Sequence, residues 1–367
     1  MDTITQGLLG AVTAQLGFRQ RIGRDATLVA AAAAVAPDLD FLLGPIVGLS
    51  GSESAEMARI VGHRGLSHSL LIVPLIALAI AAAWWWFRRS LWEPAEVQER
   101  RAGPGFGWLF GCVLAAVASH PLLDWFTSYG TQLFSPVTSA RFALDAVPIV
   151  DLIYTPILIV TLAACYIVRK WKGQAARATL AIGWSGFLLS TGYLLAGLAL
   201  HEVAIGQAKR TIEELRGVET QRSEYAAYPQ PGSIFVWRVV RRTPETWTAG
   251  RVNVRFGPVA EPSRWTSAAV ENNAWIAKAG QRPEVREFIW FTGNHARATY
   301  ENRDGHHIVE FHDMRYGLTP GGLESLWSIR AVISPLGNVL DVERVEHHRG
   351  VRRGEMIGRF WGYLWEA

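Results

Sequence analysis

Four long apolar runs, residues 69–87, 105–126, 147–168 and 178–200, all lie before His201. Each is 19–23 residues long, enough for a helix to cross a hydrocarbon core of about 30 Å. Two shorter stretches, 3–18 and 26–42, precede them and are rich in Ala, Gly and Leu. Small residues of this kind suit close helix packing. The expectation is an α-helical polytopic membrane protein with about six transmembrane helices over residues 1–200. No charged leader with a small-residue cleavage site opens the chain, so a removed signal peptide is not expected.

Loop charge gives the expected orientation. The 19–25 loop carries Arg19, Arg21 and Arg24, and the 88–104 loop carries Arg88, Arg89, Arg100 and Arg101. The 169–177 loop adds Arg169, Lys170, Lys172 and Arg177, whereas the intervening loops hold only Arg59, Arg64 and Arg141. Such a bias puts the basic loops in the cytoplasm, with Trp84, Trp85 and Trp86 as an interfacial belt beside Arg88. With six helices, residues 201–367 fall on the extracytoplasmic side. The net charge of +4 is thus a topology signal, and no nucleic-acid partner is expected. Cys112 and Cys165 lack metal-ligand spacing, which argues against a cysteine site or a disulfide framework.

The ionisable residues collect at one end of these helices. Asp2 opens the first stretch, and Asp38 and Asp40 lie in PDLD at the end of the second. His63, Arg64 and His68 lie in HRGLSHS, immediately before 18 uncharged residues. His120 and Asp124 lie in HPLLD, and Asp145 and Asp151 flank the start of the 147–168 run. In the expected topology all of these groups sit at the outer face. Ionisable side chains at membrane depth are costly and tend to mark function. His120 and Asp124, four apart, share one helix face, and imidazole with carboxylate suits Zn2+ or Mn2+ better than calcium. The expected ligands are Asp38, Asp40, His63, His68, His120 and Asp124. Arg64 has two readings, neutralising Asp38 or Asp40, or gripping an anionic substrate group. Asp151 is a candidate for orienting a ligand or transferring a proton.

With these residues in place, the chain resembles the YdjM-like membrane-bound metal-dependent hydrolases. The stretches that carry the resemblance are MDTITQGLLGA, APDLDFLL, HRGLSHSLL, HPLLDWFTSYGTQLFSP and RFALDAVPIVDLIYT, within roughly the first 155 residues. The resemblance implies a metal-dependent hydrolase of a bacterial inner membrane, with its motif histidines and aspartates falling on the six residues above. Many relatives carry a histidine after the Thr of the opening motif, where this chain has Gln6. More distantly, the family is similar to zinc-dependent phospholipase C and the S1/P1 nucleases, which implies phosphoester hydrolysis on a lipid or lipid-linked substrate.

Beyond residue 200 the composition changes. Residues 201–231 read as a polar helical linker and 232–367 as a mostly-β extracytoplasmic domain. SIFVWRVVRR, WTAGRVNVRF, VREFIWFTG, HARATYEN, HIVEFHDMRYG and LWSIRAVIS have strand-like composition. Its histidines, His306, His307, His312, His347 and His348, read as solvated strand or turn residues. Three other readings of the whole chain stay open: a metal-independent lipid-phosphatase-like enzyme, a non-enzymatic metal-binding or transport protein, and a purely structural or scaffolding protein.

Overall fold

The computed structural model describes residues 1–40, 62–91, 105–172, 176–216, 223–256, 264–317, 319 and 321–347. They fall into two units. The first lies within Met1–Val47, Gly62–Leu144 and Ile149–Ala196, and the second within Gly48–Val61, Asp145–Pro148 and Gly197–Ala367.

The first unit is helical. Helix α1 (Thr3–Gln15) starts at Asp2, whose carboxylate accepts from the Thr5 N–H, and short α2 (Phe18–Ile22) follows. Helix α3 (Ala26–Val35) tightens into a 3₁₀ turn, Ala36–Leu39. A second 3₁₀ turn, Leu66–His68, leads to α4 (Val73–Leu91). Then come α5 (Phe106–Trp125), α6 (Tyr154–Lys172) and the first part of α7 (Ala176–Arg216). The core is built largely from small side chains, among them Ala14, Ala30, Ala33, Ala77, Ala81, Cys112 and Ala116. Small residues let backbones approach closely, and Gly10 marks the tightest point between α1 and α3. A Cβ there would lie 2.5 Å from both the Ala30 carbonyl oxygen and the Ala34 Cβ.

The six-span expectation is not met. Among the described residues two helices are long and apolar enough to cross a membrane, Phe106–Trp125 and Arg177–Leu215. The 3–18 and 26–42 stretches yield helices of 13 and 10 residues, about 20 Å and 15 Å long at 1.5 Å per residue. The 69–87 run becomes helical only at Val73, so its apolar helix, Val73–Arg88, is short. The 147–168 run loses its first residues to an irregular segment, and α6 begins at Tyr154. In each case one end of the run folds into turns or irregular backbone rather than extending the α-helix.

The two ends of this unit differ in charge. At one end Arg19 donates to the Arg24 carbonyl and Thr27, Arg88 meets the Ile22 carbonyl and Asp25, and Arg169 donates to Gln15. Exposed Trp86, Trp108 and Trp171 lie near the same helix ends. The acidic and imidazole groups lie at the opposite ends of these helices.

The second unit begins in α7, which stays helical to Arg216; the expected helical linker, 201–231, is not helical throughout, since Glu224–Pro229 forms a strand. Ala204 and Ala208 of α7 pack on Trp237 and Val239. Strands β1 (Glu224–Pro229), β2 (Val236–Arg242), β3 (Thr246–Asn253) and β4 (Trp265–Ala269) form one antiparallel sheet in chain order. Helices α8 (Ala274–Ala279) and α9 (Pro283–Phe291) follow. A second antiparallel sheet then comprises β5 (Ala296–Arg303), β6 (His306–Asp313), β7 (Trp327–Ile333) and β8 (Val339–Glu346). VREFIWFTG, read as strand, is instead most of α9. Pro283 opens that helix, and Val285, Phe288 and Phe291 are buried at spacings of three, the period of a helix rather than of a strand.

Candidate metal centre

Three elements bring the first-unit cluster together. The 3₁₀ turn after α3 carries Asp38, the turn before α4 carries His68, and the last turns of α5 carry His120 and Asp124. Nε2 of His120 lies 3.3 Å from Asp38 Oδ1 and 3.6 Å from Asp124 Oδ2. Nε2 of His68 lies 3.7 Å and 3.5 Å from the same two oxygens. Ligands of a tetrahedral ion with bonds near 2.1 Å stand about 3.4 Å apart. His68, His120 and Asp124 are wholly buried.

What the ring nitrogens do outside the cluster fixes their chemistry. His120 Nδ1 sits 2.5 Å from the Ala34 carbonyl oxygen. A carbonyl only accepts, so Nδ1 carries a proton and Nε2 is the nitrogen a metal ion would take. Ala34 is free for this because the last four carbonyls of a helix have no intrahelical partner. His68 Nδ1 lies 2.9 Å from Ser67 Oγ and 3.4 Å from Asp40 Oδ2. His68 Nε2 and His120 Nε2 are buried without a hydrogen-bond partner, and Asp124 Oδ2 beside them is ion-paired with Arg64 Nε at 3.0 Å. Orphaned buried polar atoms are costly, and two bare imidazole nitrogens converging on carboxylate oxygens is what a metal ion would satisfy. The residues present therefore fit a divalent ion.

Asp40 and His63 stand one step back. Asp40 accepts from His63 Nδ1 at 2.8 Å, Ser67 Oγ at 2.5 Å and the Arg64 N–H at 3.3 Å. Burial opposes the charge on Asp38 and on Asp40, but the imidazoles beside each hold both carboxyls well below the usual range. Burial also lowers the His63 pKa, despite the pull of Asp40. The loop after α5 clamps HRGLSHS from the other side. Gln132 N–H donates to the Arg64 carbonyl, Leu70 N–H to the Leu133 carbonyl, and Ser69 Oγ to the Ser135 carbonyl. Arg64 itself has φ 62°, a left-handed conformation costing a non-glycine residue about 1–2 kcal/mol. Those backbone bonds hold it there.

Arg64 pairs with neither Asp38 nor Asp40 through its side chain. Its Nε lies 3.0 Å from Asp124 Oδ2, Nη1 donates to Thr127, and the guanidinium covers the Tyr129 ring. Asp151 does not join the cluster. Its Oδ1 accepts from the Ile153 and Tyr154 N–H groups at the start of α6, and Oδ2 accepts from Tyr193. Burial raises its pKa. Asp151→Ala is expected to lower stability by about 1–3 kcal/mol through the unsatisfied groups it leaves, with metal content unchanged; denaturant melts and elemental analysis check this.

Several residues that orient the site had no such role in the sequence reading. Gln6 Nε2 donates to Asp124 Oδ1 at 3.0 Å, Thr3 donates to Asp38 Oδ2 at 2.7 Å, and the Met1 amino group contacts Asp124. Thr3 and Gln6 lie in the MDTITQGLLGA stretch, so the motif held the signal. His348 lies outside the described residues.

The fold and cluster together define a helical-bundle protein with a candidate metal centre at one end and a basic, tryptophan-rich collar at the other. The chain belongs to the family described as YdjM inner membrane protein, which matches residues 1–201. That membership makes it an inner-membrane protein. No curated protein and no solved structure matches it.

Proposed function

We propose that the chain is a membrane-bound metal-dependent hydrolase that cleaves a phosphoester on a lipid or lipid-linked substrate. The observation that carries the reading is the convergence of two unpartnered buried nitrogens, on His68 and His120, on the carboxylates of Asp38 and Asp124. Asp38, His68, His120 and Asp124 would hold a divalent ion, most plausibly Zn2+, with Mn2+ the alternative. Bound there, the ion supplies Lewis acidity and makes water a usable nucleophile near neutral pH.

The chain's own residues do the rest. Asp40 accepts from Nδ1 of His63 and so orients that ring beside the His68 ring. Arg64 is a positioning residue that holds Asp124. The basic collar at the far end of the bundle supports an extracytoplasmic face for the cluster, by the positive-inside rule.

Turnover tests the reading. Detergent-purified protein is assayed on a panel of phosphoester lipids, with and without chelator, and after zinc or manganese is restored. Chelator-sensitive release of phosphate or headgroup that returns with metal is the expected result, and Asp124→Asn should lose it. Turnover indifferent to chelator, or none on the panel, removes the proposal.

A further inference from the structure

The second sheet places another set of donors together, outside residues 1–201. Glu310 and His312 are two apart on β6 and so share one face of the sheet. They pair with Arg330 and Ser328 of β7. His347 follows the end of β8, with its N–H on the Leu326 carbonyl. Glu310 Oε2 lies 3.6 Å from His312 Nε2 and 3.8 Å from His347 Nε2. One donor atom from each of the three residues lies within 4.8 Å of the other two. The side chains are 14%, 13% and 26% exposed for Glu310, His312 and His347. His347 thus keeps partial exposure, whereas the solvated-strand reading is corrected for His312. His307 likewise is not free in water, since it stacks on Trp275.

Hydroxyl groups stand beside both facing nitrogens: Thr299 lies 2.9 Å from His312 Nε2, and Ser328 lies 2.9 Å from His347 Nε2 and 3.4 Å from Glu310 Oε2. One cation competes: Arg330 Nε lies 2.5 Å from Glu310 Oε1, leaving Oε2 directed at the imidazoles.

We propose that Glu310, His312 and His347 form a second zinc site, one that ties β6 to the end of β8 across β7. Two imidazoles and a carboxylate are a donor set that zinc accepts. The site is independent of the first-unit centre, and its ligands share no residue with it.

The test uses the full chain in detergent, stripped by chelator, reloaded with zinc alone and desalted. Asp124→Asn is compared with the triple variant D124N/H312Q/H347Q by elemental analysis, and circular dichroism checks the fold. A loss of bound zinc between the two is the expected result, whatever happens at the first-unit centre. Equal zinc in both overturns the proposal. Should the histidine variants fail to fold, Arg330→Gln supplies the second test. Removing the competing cation should tighten zinc binding by about tenfold, the scale of outer-shell effects. Unchanged affinity in that variant also overturns the proposal.

Discussion

His68→Ala is expected to abolish zinc binding at the first-unit cluster, whereas Asp40→Asn is expected only to weaken it. The two outcomes follow from where each group sits. His68 contributes a buried Nε2 with no other partner, 3.5 Å and 3.7 Å from two carboxylate oxygens. Asp40 acts through Ser67 and the far nitrogen of the same ring. Loss of such an orienting partner costs roughly 10–100-fold in affinity, or about 1.4–2.7 kcal/mol. Zinc titrations on both variants, with the Asp151→Ala protein as a control, separate a ligand from its support. Equal losses in the first two variants would mean that the cluster is polar packing that either substitution disrupts. Wild-type affinity in His68→Ala would place the ion elsewhere.

Gly10→Val is expected to unfold the helical unit or force it apart. Even a methyl group at this position would meet the Ala30 carbonyl and the Ala34 Cβ at 2.5 Å. Two backbones must separate to admit it, which for overpacking costs about 1–3 kcal/mol and for a branched residue more. The same displacement moves Ala34, whose carbonyl orients His120. Reduced thermal stability together with weaker zinc binding is the expected pair of results. Stability lost without any change in metal affinity would show that α3 relaxes without carrying its carbonyl away.

The residues of the site were more legible in the sequence than the number of spans. Asp38, His68, His120 and Asp124 stood out because ionisable groups beside apolar runs are expensive, and the i,i+4 spacing of His120 and Asp124 set their common face. The spans were overcounted because hydropathy treats an apolar run as helix from end to end. Here Leu70–Ile72 form turns, and the residues before Tyr154 are irregular. The partition of ligands from supports was not legible, since Asp38 and Asp40 look alike in PDLD. Only the folded turn directs Asp38 at the Nε2 atoms of His68 and His120 and Asp40 at the Nδ1 atoms of His63 and His68. In the second unit, composition misread α9, where apolar residues fall three apart and Pro283 sets the start. It also left Glu310, His312 and His347 unconnected, because β7 separates them in the chain and hydrogen bonding across it brings them together.

Because the Ala34 oxygen belongs to the main chain, every amino acid encoded at that codon would still present it. A saturation scan at position 34 would grade substitutions by bulk, since the Cβ there faces Gly10, and would never register the proton the carbonyl fixes on His120. That control is invisible to genetics. Exposing it needs chemistry on the backbone, an ester in place of the amide that follows Ala34, which weakens the oxygen as an acceptor while leaving all side chains intact.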